Sequence, residues 1–336
     1  MLSGDYLPAH THPFRDELLS SWLVRLAHAN GLKVQPFCDL IFGHEHQLWN
    51  RDIDRLAPSW LMDMMSAKAG VPLRRTWETT LLGYEGSVYS RRPKSGQLRW
   101  ILPLQIFHRK RLGHGVQFCP SCLSEDVDPF YRRSWRVAFY TFCSRHNVML
   151  FDRCPDCGSG VAFHRLELGR PEMFEAGSLA SCWNCGFDFR QSPAIQVKWW
   201  DVQLFQTWRN YLRWIDCGPR SVLSIDKSKL SVLHHFCTLM ISTRLAPKLQ
   251  SYLATKAHQE VIPLGDRRVF FEFYSVGERH HILCLAWWLL NQWPDRLRKA
   301  WQSGAVRFNV LLKDFDSAPA WYLDEASSYN RRLRPR

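Results

Sequence analysis
Residues 118–158 read FCPSCLSEDVDPFYRRSWRVAFYTFCSRHNVMLFDRCPDCG, and the spacing of their cysteines decides the architecture. Cys119 and Cys122 stand two residues apart, as do Cys143 and His146, and again Cys154 and Cys157; further on, CWNCG adds Cys182 and Cys185. A two-residue gap lets both side chains of a knuckle reach one tetrahedral ion, and Pro or Gly beside the ligands tightens the turn so that backbone N–H groups can bond the thiolates. Twenty residues separate the first pair from the second and twenty-four separate the third from the fourth, so eight ligands fall within 67 residues. That spacing predicts two structural zinc ions. A thioredoxin-type redox motif needs one reactive pair at a helix start, not four pairs.

Loop lengths of this zinc-ribbon size favour sequential pairing. Cys119, Cys122, Cys143 and His146 then form one site, and Cys154, Cys157, Cys182 and Cys185 the other; a cross-brace joining the first pair to the third is the alternative. Catalytic zinc keeps three protein ligands and an open position, whereas each of these sets supplies four. The chain shows no zinc-deaminase or zinc-protease signature, no P-loop, no G-x-S-x-G and no dinucleotide-binding glycine pattern. No catalytic residue or cofactor-binding residue is assigned, and an enzyme is not expected. Cys38, Cys217, Cys237 and Cys284 lie in apolar helical patterns and are expected in the core.

Between the knuckles, Arg132, Arg133 and Arg136 alternate with Tyr131, Trp135, Phe139 and Tyr140. One reading puts the aromatics in a mini-core around the metal with the arginines in solvent. The other uses the arginines for phosphate pairing and stacking. Upstream lie Arg91, Arg92, Arg109, Lys110 and Arg111, and together these eight are the candidate nucleic-acid or partner contacts.

The distribution of charge sharpens this. The 336 residues carry a net charge of +13, with a pI of about 9.4. Residues 1–90 are net −2, residues 91–146 net +8, residues 147–200 net −1 and residues 201–336 net +8, half of the last from the tail RRLRPR. A basic balance favours a polyanionic partner, yet the first 90 residues look protein-facing or structural. The longest apolar run, ILCLAWWLL from Ile282, is far short of the ~20 residues of a membrane-spanning helix. The start has no basic segment leading into an apolar one, so a cytoplasmic location is expected. In that compartment eleven cysteines point to metal rather than disulfides.

Around the cysteines the pattern is helical, giving a mainly α chain with small zinc-ribbon β elements. Asp16 is expected to cap a helix through ELLSSWLVRLAHAN, with Gly31 past its end, and Pro36 suits the first turn of a second helix. This is a helix-turn-helix-like unit, or equally a plain helical bundle. More helix is expected over PSWLMDMMSAKAG and RRTWETTLLG. The expected domains are a helical 1–90, a basic connector 91–117, tandem zinc fingers 118–192, a helical domain 199–325 and a basic tail 326–336. In the helical domain Val202, Phe205, Trp208, Leu212 and Ile215 share a predicted apolar face, and KLSVLHHFCTLMISTRL and RHHILCLAWWLLNQWPDRLRKAWQSG are further helix candidates.

Taken together, ELLSSWLVRLAHANGL and the 118–158 stretch resemble the TniQ family of transposition proteins, which includes TnsD. The order CPxCL, acidic pair, Tyr-Arg-Arg, Trp, Cys-x-x-His, Leu, CPxCG carries the resemblance. It is close over about 15–30 and 118–158 and looser to about 190. The resemblance implies an N-terminal helix-turn-helix, a zinc-finger centre, a helical C-terminal domain and no enzymatic activity. It also implies target selection: an adaptor recognises target DNA or a Cascade-type RNA-guided complex, in some cases as a homodimer, and recruits an AAA+ transposition regulator. The alternative is a zinc-dependent, sequence-specific DNA-binding protein that selects an attachment site without guide RNA. The acidic pair Glu125–Asp126 belongs to the signature, but the sequence supplies no physical role for it.

Overall fold
The computed structural model describes residues 6–90, 96–107, 110–111, 113–168, 177–218, 225–263, 269–315 and 318–331, and is mainly helical. It divides into two compact units, one of residues 1–198 and 215–221, the other of 199–214 and 222–336.

The first unit begins with α1 (Leu19–Ala29). Its Leu19, Trp22, Leu23, Leu26 and Ala27 are completely buried, and so is Ser21 on the opposite side. The helix is enclosed rather than half-exposed. Asp16 does not cap it, contrary to the sequence expectation. α1 starts three residues later, and Asp16 adopts φ 62° with its carboxylate accepting from Arg133 Nε at 3.1 Å and Ser134 N at 3.3 Å. The first-turn amides, which have no partner within a helix, are satisfied from elsewhere. Leu19 N donates to Thr79 O, and Ser20 N to Asp54 Oδ1 at 2.8 Å. At the other end the Asn30 amide donates to Leu26 O, and Gly31, at φ 68°, takes the left-handed turn where a Cβ would be strained.

A four-residue turn, 30–33, leads to α2 (Val34–Phe42), which buries Val34, Phe37, Cys38 and Phe42. Short helices α3 (Ile53–Leu56), α4 (Ser59–Ala69) and α5 (Leu73–Trp77) follow; the helix expected over RRTWETTLLG breaks after α5 and resumes only as a 3-10 turn at Leu81–Tyr84. The segment expected to be a connector is core. Leu98, Trp100, Ile101, Leu102 and Leu104 are buried, Ala138 N donates to Trp100 O at 2.7 Å and Leu102 N to Arg136 O at 2.9 Å. Its apolar run LRWILPL is the reason, since such a stretch is stabilised by burial. A two-residue hairpin, β1 (Ile106–Phe107) with β2 (Lys110–Arg111), is the one named sheet among the described residues. Elsewhere in the cysteine region pairing is limited to isolated bridges, such as Phe118 with Phe151 and Phe142 with Met149. One helix, α6 (Pro120–Glu125), carries the first knuckle.

Helix α7 (Val202–Cys217) runs through residues 202–214 of the second unit. Its buried stripe is Leu204, Trp208, Tyr211 and Leu212, while the predicted face member Val202 is exposed at the helix start. Five further helices are α8 (Ser228–Ile241), α9 (Leu249–Lys256), α10 (Val276–Asn291), α11 (Asp295–Gln302) and α12 (Phe308–Leu311), followed by α13 (Ala320–Arg331). The long helix expected from RHHIL onward is two helices. α10 starts at a Ser275–Glu278 capping box and stops before Pro294, which cannot continue a helix interior. α8 packs against α10, with Leu233, Phe236, Leu283, Leu285 and Leu289 all buried, and Trp301 stacks on Tyr329 with ring centroids 4.7 Å apart.

Candidate metal centres
The structure brings the eight candidate ligands together in two groups of four, paired sequentially: Cys119, Cys122, Cys143 and His146, then Cys154, Cys157, Cys182 and Cys185. Within each group the donor atoms all lie within 4.8 Å of one another. In the first, Cys122 and Cys143 Sγ are 3.6 Å apart and His146 Nδ1 lies 3.4–3.5 Å from all three sulfurs. In the second, the Cys154–Cys185 and Cys157–Cys182 sulfurs are each 3.7 Å apart. A tetrahedron with metal–sulfur arms of ~2.3 Å has edges of roughly 3.8 Å, so both groups fit one tetrahedral ion, and neither contains a disulfide.

Three of the four knuckles share one backbone device. The residue after the second ligand (Asn147, Gly158, Gly186) is left-handed, at φ 56°, 73° and 80°. Its N–H donates to the carbonyl of the first ligand, at 2.9, 3.0 and 2.9 Å, and the first ligand's own N–H donates 2.8 Å to the residue after the turn. The fourth knuckle differs. Cys119 is the N-cap of α6, its Sγ accepting from Cys122 N at 3.5 Å, with Pro120 at the first helical position.

The centres also differ in exposure. Cys119, Cys122 and Cys143 are buried, whereas Cys157 and Cys185 reach solvent. Crowding the first three thiols has an electrostatic consequence. Hydrogen bonds from the Cys119 and Cys122 thiols push Cys143 down to about 2, while Cys119 and Cys143 push Cys122 up. The group therefore favours one thiolate by itself, and a dication is what would let all three ionise.

The acidic pair now has a physical role. Glu125 Oε1 is 2.9 Å from His146 Nε2, the ring nitrogen opposite the one facing the sulfurs, and Glu125 also pairs with Arg145. Asp126 forms a two-pronged ion pair with Arg132, at 2.7 and 3.0 Å. Sequence spacing held the signal for Glu125, three residues past Cys122, but the partner became visible only with α6 in place.

The candidate contacts divide sharply. Arg91, Arg92 and Arg109 lie outside the described residues, and Lys110 and Arg111 form β2. Arg132, Arg133 and Arg136 are neither solvated nor displayed, a correction to both sequence readings. Arg133 pairs with Asp16, and Arg136, with no exposed side-chain surface, reaches Asp52 and Asp54. Burial works against the Arg136 charge, and the two aspartates outweigh it, raising its pKa; burial raises Asp54 despite Arg136. The reason is geometric. Asp16 and Glu17 just before α1, and Asp52 and Asp54 at the start of α3, place carboxylates inside the same core that the 131–140 segment enters, and buried carboxylates require cations. Arg25 continues the network, pairing with Glu17 at 2.8 Å and Asp128 at 2.7 Å. The aromatics do form the mini-core: Tyr131, Trp135, Phe139 and Tyr140 are buried. Of the other cysteines, Cys38, Cys237 and Cys284 are buried and Cys217 is half-buried.

Residues 8–150 match the family model for TniQ. Over these residues the chain is similar to the TniQ family of transposition-related proteins. The TniQ region takes in α1 to α6 and every ligand of the first centre, and ends before Cys154, so the second centre and all of α7 to α13 lie beyond it. No curated protein matches the chain.

Proposed function
We propose that this chain is a non-enzymatic target-selection adaptor for transposition, bridging a target-recognition complex to an AAA+ transposition regulator that brings in the transposase. The TniQ match carries the reading. Two structural zinc ions are its cofactors: all-cysteine and Cys3His sets with four close donors each suit zinc and leave no ligand position for a substrate.

The bridging role fits the surface of α2. In a helix-turn-helix reading α2 is the recognition helix, yet its exposed residues are Gln35, Pro36 and Leu40, beside half-buried Asp39. A face without a cation and with a carboxylate is poorly suited to phosphates and suits a protein partner. The target-recognition complex in this reading is a Cascade-type RNA-guided assembly or target DNA, met by one copy of the chain or by a homodimer, in the cytoplasm. Among the described residues no helix is long and apolar enough to cross a membrane.

Co-purification tests it. The tagged full chain, mixed with the AAA+ regulator and the guide complex of the same element, is expected to retain both. Retention of neither sinks the adaptor reading. Metal analysis should return two zinc ions per chain, and hydrolysis of DNA under added divalent ions would replace the adaptor with an enzyme.

A further inference from the structure
Most arginines that the described core positions are engaged in ion pairs, among them Arg25, Arg132, Arg133, Arg136 and Arg298. Helix α7 carries a different kind of surface. Opposite its buried stripe runs an arc formed by Gln203, Gln206, Arg209, Asn210 and Arg213, none of them buried. At 100° per residue these five fall within about 120° of one another, and Gln203 to Arg213 spans ~15 Å of helix axis. The side chains of Gln203, Gln206, Asn210 and Arg213 make no hydrogen bond or ion pair among the described residues.

No carboxylate lies on this arc. Asp201, at the helix start, accepts from Leu204 N at 3.0 Å, and Asp226, beyond its end, accepts from Ser228 N and Oγ. Arg209 and Arg213 sit one turn apart with like charge. Burial, and after it the Arg213 charge, lower the Arg209 pKa, and an i,i+4 pair of like charges destabilises a helix. Arg209 lies over the Phe205 ring at 5.6 Å, and Lys227 over Trp214 at 5.7 Å, adding a third cation near the helix end. The like charges of Arg209 and Arg213 one turn apart work against the helix, and a polyanion would relieve them.

We propose that the exposed face of α7 is a duplex-DNA contact, with Arg209 and Arg213 on phosphates and Gln203, Gln206 and Asn210 turned to base edges in the major groove. Amides are the side chains that pair two-pronged with adenine, and arginine serves phosphate or guanine. The B-form major groove, ~12 Å wide, admits an α-helix, whereas the A-form major groove of RNA is too narrow. The site lies outside the TniQ region, and it deepens the target-selection reading, resting on it only for what the DNA is.

The test uses the full chain and fluorescence anisotropy on B-form duplexes of mixed sequence, over a salt series. Arg209→Gln with Arg213→Gln is expected to weaken binding about tenfold and to reduce the salt slope by about 1.8, at ~0.9 per phosphate contact. Gln206→Ala with Asn210→Ala should keep that slope and flatten the discrimination between duplexes. Arg213→Gln alone, at an exposed position, serves if the double variant does not fold. Unchanged affinity in folded arginine variants overturns the site, as does equal binding of A-form duplex RNA. Retention of the AAA+ regulator by the same variants separates this failure from that of the adaptor: loss of DNA binding with the regulator still held supports the α7 site. A chain that holds the regulator but binds no duplex refutes the α7 site alone.

Discussion
Glu125 and His146 meet at 2.9 Å on the far side of the imidazole from the three cysteine sulfurs. The carboxylate fixes which ring nitrogen carries the proton and leaves Nδ1 as the free donor toward the metal, the usual task of a group behind a metal-bound histidine. Glu125→Ala should therefore leave the fold in place and weaken metal retention at the first centre by about 10–100-fold. Competition with a chromogenic chelator measures this, and a release curve like that of the unmodified chain would remove Glu125 from the centre.

The two centres should not be equally important to the fold. Cys119, Cys122 and Cys143 are buried within the core that holds α1, while Cys157 and Cys185 are exposed. A structural zinc site contributes its binding energy to folding. Cys122→Ser is expected to abolish cooperative unfolding of the first unit or lower its thermal midpoint by on the order of 10 °C or more, the effect of several kcal/mol in a domain of this size. Cys157→Ser should cost less and act locally. Circular dichroism melts of the two variants, with zinc content measured alongside, decide it; equal melts would mean burial does not set the hierarchy.

Arg136→Ala is predicted to be destabilising rather than a loss of partner binding. Removing the guanidinium leaves Asp54 buried, and Asp52 mostly so, without a counter-charge, at a cost of about 3–5 kcal/mol. Asp54 also holds Ser20 N and Oγ, so the damage reaches the start of α1. Urea titration should show the midpoint falling with the slope retained, and an unchanged midpoint would return Arg136 to the role its sequence setting indicated.

That reversal shows what the sequence could and could not carry. Ligand identity and sequential pairing were legible because a tetrahedral ion imposes a local spacing, and the four short pairs satisfy it within the chain's own turns. Helices α1, α2, α4 and α8 were legible because their apolar residues recur at helical period. The fate of Arg133 and Arg136 was not, because it depends on carboxylates more than a hundred residues away for Asp16 and more than eighty away for Asp52 and Asp54. Asp16 reads as an N-cap for the same reason: local propensity favours it, and a distant arginine takes it. α7 was legible as a helix from its apolar period, whereas its exposed arc mixes amides and arginines that any solvated helix face can carry.

Asp216 gives the first unit a pH dependence near neutrality. Tyr140 OH donates to its carboxylate at 2.9 Å and Ser144 Oγ at 2.5 Å, and burial, aided by the nearby Asp16 charge, raises its pKa to about 7. The ordinary value is 3.8. A carboxyl raised in the folded state binds its proton more tightly there than in the unfolded chain. Its contribution is therefore fully present below the unfolded pKa and is lost as pH rises through about 7. Between pH 6 and 8 this amounts to on the order of 1 kcal/mol of lost stability. Asp216→Asn keeps the acceptor oxygen and cannot ionise in either state, so it should match the unmodified chain only below about pH 4, exceed it at pH 6 and exceed it further at pH 8. Denaturant midpoints of the two proteins at pH 6 and 8 test this directly, and a gap that stays the same from pH 6 to 8 would show that the carboxylate is already ionised in the folded protein.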